Sequence, residues 1–96
     1  MPSSEAHVAM ATPTRYLTQL CKHFEHRLPV THDGAAGRIA FEAGTCDLRA
    51  SADALVMRCD AADDEALARV QDVVARHLLR FAFRDPPEIV WAPRAR

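Results

Sequence analysis

The sequence has little glycine and little cysteine, and both shortages exclude whole classes of protein. Its 96 residues contain only three glycines, and these form no phosphate-loop pattern, which argues against a nucleotide-binding cradle. The three cysteines, Cys21, Cys46 and Cys59, are odd in number and scattered along the chain. This spacing argues against a disulfide framework and predicts free thiols in a reducing compartment.

An excess of positive charge and a long apolar run are also missing. Lys and Arg number 12 against 13 Asp and Glu, for a net charge of -1, which does not suit a protein that coats nucleic acid or an anionic membrane. No apolar run approaches the roughly 20 residues that span a bilayer. The first residues, MPSSEAHVAMATP, lack the basic and apolar regions of a secretory signal. We expect one cytoplasmic domain over residues 1–96, with neither a nucleic-acid nor a membrane partner.

What the sequence does contain is a long amphipathic pattern at residues 63–83, DDEALARVQDVVARHLLRFAF. Its apolar positions recur with the 3.6-residue helical period and form one stripe. Acidic residues open the segment and arginines follow near its end, as the helix dipole favours. The pattern predicts a helix whose buried stripe comprises Ala66, Leu67, Val70, Val73, Val74, His77, Leu78 and Phe81.

A second helical pattern runs from Pro13 to Leu28. Thr12 is placed to cap its first turn, Pro13 suits the first helical position, and Pro29 ends it. Its predicted apolar face comprises Leu17, Leu20, Cys21, Phe24 and Leu28. The same geometry places His23 at the rim of that face and His26 nearly opposite it.

Period-two alternation and turn residues predict the remaining elements as strands. The segments are 5–11, 30–32, 38–42, 45–51, 54–60 and 88–92. The order is therefore β-α-β-β-β-β-α-β, an α+β domain with two helices on one face of an antiparallel sheet. We expect the other face to be polar, with mixed charges from Arg38, Arg49, Arg58, Glu42, Asp47 and Asp60.

Three motifs carry a resemblance to a known family. They are RYLTQLCKHFEH at 15–26, GRIAFEAGTCDL at 37–48 and VQDVVARHLLRFAFRDPPEIVW at 70–91. Together they resemble the bacterial DUF2218 family of unknown function, nearly end to end. The resemblance implies a TATA-box-binding-protein-like fold, a curved sheet backed by two helices. Some relatives are associated with FAD-dependent siderophore-interacting reductases, which implies an accessory role in iron–siderophore metabolism; this chain has no flavin module, and we expect no cofactor.

The candidate ligand-binding residues are Cys21, His23, His26, Cys46 and His77. Thiolate and imidazole groups hold zinc or iron where three or four converge. Their spacing matches no known finger, and cysteine commonly packs as a small hydrophobe, so we assign no metal site and interpret the cysteines first as core residues. A ring on the buried stripe needs a partner, and for His77 we expect a backbone carbonyl or the Tyr16 hydroxyl, with a ligand contact as the alternative.

These observations predict a small non-catalytic binding or accessory module that contacts a protein partner, a second copy of itself or a small ligand. The alternative is a metal- or thiol-dependent enzyme or sensor that uses Cys21, His23, Cys46 and His77. A thiol paired with a base is required for nucleophilic chemistry, and a core-facing thiol resists ionisation. The non-catalytic hypothesis therefore comes first.

Two surface features could receive a partner. Leu79 and Phe83 lie on the face of the second helix that should be wet, and with Trp91 they form a candidate interface. The alternative is that residues 86–91 fold back over them. A basic cluster, Arg76, Arg80, Arg84, Arg94 and Arg96, is typical of a solvated helix end and tail, and could also accept an acidic partner or an anionic siderophore.

Overall fold

A computed structural model describes residues 2–94 as two helices and a six-stranded sheet. In chain order the elements are β1 (Ser3–Ala9), α1 (Pro13–Phe24), β2 (Val30–His32), β3 (Ala36–Ala40), β4 (Gly44–Ala50), β5 (Ala54–Ala61), α2 (Asp64–Phe81) and β6 (Ala92–Pro93). The predicted α+β class and element order are confirmed. The arrangement is consistent with the TATA-box-binding-protein-like fold that the family resemblance implies.

The sheet is open and antiparallel, with strand order β2-β3-β4-β5-β1-β6. The first strand of the chain thus returns beside β5, where Ser3 pairs with Asp60 and Ala9 with Ala54. Both helices pack on the sheet, α1 against β3 to β5 and α2 against β4 and β5. Because both helices take the same face, the other face of the sheet is free of helices.

The core lies between the helices and the sheet. It consists of the apolar residues that recur with a period of about 3.6 in the helices and 2 in the strands. Helix α1 contributes Leu17 and Leu20, and helix α2 contributes Val70, Val74 and Leu78. The sheet contributes Ala6, Val8, Ile39, Cys46, Leu48, Leu55, Met57 and Cys59. No helix in the described part of the chain is both long enough and apolar enough to cross a bilayer.

Helix α1 begins at Pro13 as predicted, but its C-terminal end and its capping differ from the prediction. It ends at Phe24 rather than Leu28, because the residue before Pro29 is driven out of the helical region and the chain must leave the helix earlier. The N–H groups of Arg27 and Leu28 both donate to the carbonyl of Phe24, which closes the turn. Thr12 precedes the helix, yet its side chain makes no capping hydrogen bond, so the predicted cap was wrong.

The predicted strand boundaries also needed correction. Strand β1 spans residues 3–9 rather than 5–11, and the last strand shrinks from 88–92 to Ala92–Pro93. Within the predicted segment only Ala92 pairs with β1, so residues 86–91 form irregular chain rather than strand. Ile89 and Trp91 still pack against the core from this stretch.

A row of alternating charge crosses the helix-free face. Arg38 on β3 lies opposite Asp47 on β4, which lies opposite Arg58 on β5, which lies opposite Glu5 on β1. Each charge therefore has an opposite charge beside it, and Arg38 and Asp47 form an ion pair at 3.5 Å. Positive and negative charges therefore alternate along this row, which agrees with the mixed charges predicted for this face.

Candidate ligand-binding cleft

The three cysteines lie in the core, in agreement with the prediction that they are core residues. All are fully buried and free, and Cys46 lies directly opposite Cys59 on the neighbouring strand. A hydrogen bond with the Cys59 thiol and removal from water raise the pKa of Cys46. Burial, with a smaller effect from Glu25, raises the pKa of Cys21 to about 11. The Cys21 and Cys46 thiols therefore stay protonated at neutral pH, the wrong state for a nucleophile or a metal ligand.

The candidate histidines form no common site with the three buried cysteines. Among residues 2–94 no group of three or more His, Cys, Asp or Glu side chains is arranged to hold a metal ion. Cys21, His23, Cys46 and His77 accordingly form no joint metal-ligating group there. What the structure does bring together is His23 from α1 and His77 from α2, with ring centroids 4.8 Å apart and planes tilted by 44°.

Phenylalanine rings surround this imidazole pair. Phe24 meets both rings edge to face, with its centroid 4.9 Å from that of His23 and 4.9 Å from that of His77. On its other side Phe24 packs against Phe41 at 5.0 Å, and Phe81 lies 5.5 Å from His23. Edge-to-face aromatic contacts of this kind each contribute about 0.5–1.5 kcal/mol beyond burial. The half-buried His77 and the exposed His23 thus both contact phenylalanine rings.

His77 has the hydrogen-bond partner that its position requires. Its Nδ1 lies 2.6 Å from the carbonyl oxygen of Val73, one turn earlier on α2. Because a carbonyl can only accept, Nδ1 carries the proton and donates it, which leaves the Nε2 lone pair available. The expected backbone-carbonyl partner is confirmed. The ring is only partly buried, so a ligand can still reach it.

A cleft of about 670 Å³ opens beside the imidazole pair. Its walls come from the end of α1 and the following turn, from Phe41 between β3 and β4, and from the middle of α2. The lining residues are His23, Phe24, His26, Arg27, Leu28, Phe41, Val73 and His77. His26 was predicted to face away, but α1 ends at Phe24 and the turn brings His26 and Arg27 to the cleft.

The electrostatics of the cleft favour an anion. Partial removal from water, and then His77, Arg80, His26 and Arg27, lower the pKa of His23, and no carboxylate acts against them. None of the described lining residues is acidic. An anion in the cleft would therefore find imidazole and guanidinium donors with no competing carboxylate beside them.

The candidate interface residues are placed differently from one another. Leu79 is 38% exposed and Phe83 is 69% exposed, so residues 86–91 do not cover them. Trp91 is half-buried and packs against the core. In the predicted basic cluster, Arg76 pairs with Asp72 at 2.9 Å and Arg94 with Glu5 at 3.4 Å. Arg96 lies outside the described residues.

Comparison with known proteins assigns the chain to a family. Residues 5–92 match the family described as "Uncharacterized protein conserved in bacteria (DUF2218)". The chain belongs to this family. It is also similar to a solved structure, described as the NMR structure of PA4090 from Pseudomonas aeruginosa, with 37% identity, a TM-score of 0.82 and 96% of each chain covered. No match is found among proteins of curated function. DUF2218 membership therefore defines the fold and leaves the function to be argued from the cleft.

The sequence predicts three residues of this cleft, His23, His26 and His77, because imidazole is a common ligand group and His77 lies on an apolar stripe. The prediction missed Arg27 and Phe41. Arg27 could have been found only from the early end of α1, and Phe41 only from the pairing that places the β3–β4 turn beside α1. Their contribution depends on tertiary structure rather than on a local motif.

Proposed function

We propose that this DUF2218 chain is a small, non-catalytic binding module of the cytosol that takes an aromatic carboxylate in the histidine–aromatic cleft. The cleft itself is the observation that supports this proposal. Its volume of about 670 Å³ lies in the range of about 300–1,000 Å³ typical of small-molecule sites. Phe24 and Phe41 offer apolar surface to a ring, while Arg27 and the imidazole of His23 offer donors to a carboxylate.

A binding role suits these groups better than catalysis. Nucleophilic chemistry needs an activated thiol or hydroxyl within reach of a base, and the cleft lining contains neither cysteine nor serine. The fully buried thiols of Cys21 and Cys46 have raised pKa values. An accessory role in iron–siderophore metabolism, implied by the family resemblance, remains a prediction.

Ligand binding is tested with three small probes in buffer that contains EDTA. Benzoate has both a ring and a charge, cyclohexanecarboxylate has the charge without the aromatic ring, and benzyl alcohol has the ring without the charge. We expect benzoate to bind at least about tenfold more tightly than benzyl alcohol, because charged hydrogen bonds contribute about 1.5–3 kcal/mol. Benzoate should also bind more tightly than cyclohexanecarboxylate, because aromatic edge-to-face contacts contribute about 0.5–1.5 kcal/mol beyond burial. Amide chemical-shift changes should map to residues 24–28, 41 and 73–77.

The variant Arg27→Gln should weaken benzoate binding by about tenfold or more, since it removes one charged donor. Arg69→Gln is the matched control, because Arg69 is an exposed arginine paired with Glu65 on α2 and does not line the cleft. Equal affinities for the three probes, or the same loss in both variants, would contradict a carboxylate site here.

A second candidate function is self-association through the exposed apolar side chains Leu79, Phe83 and Val90, whose exposed fractions are 38%, 69% and 65%. Large apolar side chains at the surface can mark protein contacts. We propose a homodimer as the occupant and expect Leu79→Glu to lower the mass measured by light scattering from dimer to monomer. Arg80→Glu is the control, because it adds a carboxylate at the next exposed position of α2. A wild-type protein that is already monomeric at about 100 μM would rule this out.

A further inference from the structure

The ring centroids of His23 and His77 lie at a separation compatible with two imidazoles that share one ion. Imidazoles that ligate a tetrahedral ion at metal–nitrogen distances of about 2.0–2.1 Å have ring centroids about 5 Å apart. The observed separation is 4.8 Å, and the planes are tilted rather than stacked. The two rings come from different helices, so their approach is a product of the fold and not of local sequence spacing.

The hydrogen bond of His77 has the form that orients metal-ligating histidines. A ligating imidazole almost always donates its other N–H to a carbonyl or carboxylate, which selects the tautomer and the ring orientation. In His77, Nδ1–H donates to the carbonyl of Val73 at 2.6 Å, and Nε2 is left with a free lone pair. The partly exposed position of the ring keeps that lone pair within reach of the cleft.

We propose that His23 and His77 are the two protein ligands of a transition-metal site whose remaining donors come from the bound aromatic acid. Neutral imidazole suits first-row dications such as Zn²⁺, Ni²⁺ and Cu²⁺. Metal binding by the two histidines stands on its own geometry. The part of the proposal that concerns the ligand rests on the proposed function and narrows it to an aromatic acid that chelates, such as one with a hydroxyl beside the carboxylate.

The charges around the pair are the reason why an anionic partner is needed. Arg27 and Arg80 act on His23, and the described lining residues include no carboxylate, so a bare dication is opposed by its surroundings. A bound anion offsets that repulsion and fills the coordination positions that two histidines leave open. Metal and chelating acid should therefore strengthen each other's binding by the same factor, as linkage requires.

The site is tested by zinc titration of the untagged protein. Binding is measured by calorimetry and by the NMR signals of the histidine imidazoles. We expect saturable binding that shifts the signals of His23 and His77. His23→Phe and His77→Phe, which keep a ring in the aromatic cluster, should each lower the zinc affinity by at least about tenfold. His32→Gln, an exposed histidine on β2, is the control and should not change it. His77→Gln serves as a second variant if His77→Phe does not fold.

A second experiment tests whether metal and acid strengthen each other's binding. It compares salicylate, which chelates through its carboxylate and ortho hydroxyl, with benzoate, which lacks that hydroxyl. Zinc should raise the salicylate affinity by about fivefold or more and the benzoate affinity by less than about twofold. Zinc binding that survives in His77→Phe, or that is lost in His26→Gln but not in His77→Phe, would overturn the proposal. Failure of benzoate to bind in EDTA, with zinc still bound by His23 and His77, would remove the proposed function and leave the metal site standing.

Discussion

Leu78→Ala should lower the free energy of unfolding by about 3–5 kcal/mol, whereas Leu79→Ala, one residue further along α2, should change it by less than about 0.5 kcal/mol. Leu78 is fully buried in the core cluster, and Leu79 is 38% exposed. The first change removes buried apolar volume and leaves a cavity. The second shortens a side chain that is already partly exposed, and alanine is a better helix former than leucine.

The measurement is urea denaturation of the two variants. Their unfolding free energies can be compared if both variants show the same dependence on urea concentration. A domain of this size has a total stability of roughly 5–15 kcal/mol, so the Leu78 variant loses a large share of it. Similar losses in both variants would mean that Leu79 is buried in solution, and the most direct reason would be the homodimer proposed above. Repeating the Leu79 experiment across protein concentrations separates that case, since dimer stability depends on concentration.

The sequence predicted the two helices and the direction of their buried faces because periodicity is a local property. Val70, Val74 and Leu78 recur on one stripe and all three lie in the core. The helix start at Asp63 shows the same agreement between local chemistry and structure, since its carboxylate accepts the N–H of Ala66 at 2.8 Å. Thr12, a weaker capping residue than Asp, makes no such bond, because its backbone at φ -133° and ψ 64° departs from the extended conformation typical of a capping residue.

The cleft was only partly predictable, for a physical reason. His77 stood out as a polar residue on an apolar stripe, and its need for a partner pointed to a local carbonyl, which Val73 provides. Its neighbour His23 lies on another helix, and nothing in the local pattern of either helix encodes a contact between them. The end of α1 at Phe24 then decides which side chains complete the site, and helix ends are the least regular part of a periodic pattern.

The same reasoning separates the cysteines from the histidines. Both residue types could ligate a metal, and sequence alone grouped Cys21 and Cys46 with His23 and His77. Pairing of β4 with β5 sets Cys46 against Cys59 under the helices. The histidines instead remain at the edge of the helix pair, where solvent and ligands have access. Burial thus places the thiols in the core and leaves the imidazoles at the cleft.

Gly44→Ala should lower the free energy of unfolding by about 3 kcal/mol, although it adds a single methyl group. Gly44 begins β4 and pairs with Ala61, and a Cβ at this position would overlap the carbonyl oxygen of Asp60 and lie 3.0 Å from the Cβ of Ala61. That oxygen belongs to the backbone of β5, so it can move only if the two strands separate. The turn allows little adjustment, since the Phe41 N–H donates to the Gly44 carbonyl at 2.7 Å.

Gly34→Ala is the control for this prediction. The φ of 96° at Gly34 strains an alanine by about 1–2 kcal/mol, but nothing lies within 4 Å of the new atom. Thermal unfolding should place the Gly44 variant below the Gly34 variant by several degrees, at about 4–8 °C per kcal/mol. The reverse order would mean that β4 and β5 separate easily at Gly44, and the strand register that sets Cys46 against Cys59 would then have to be re-examined.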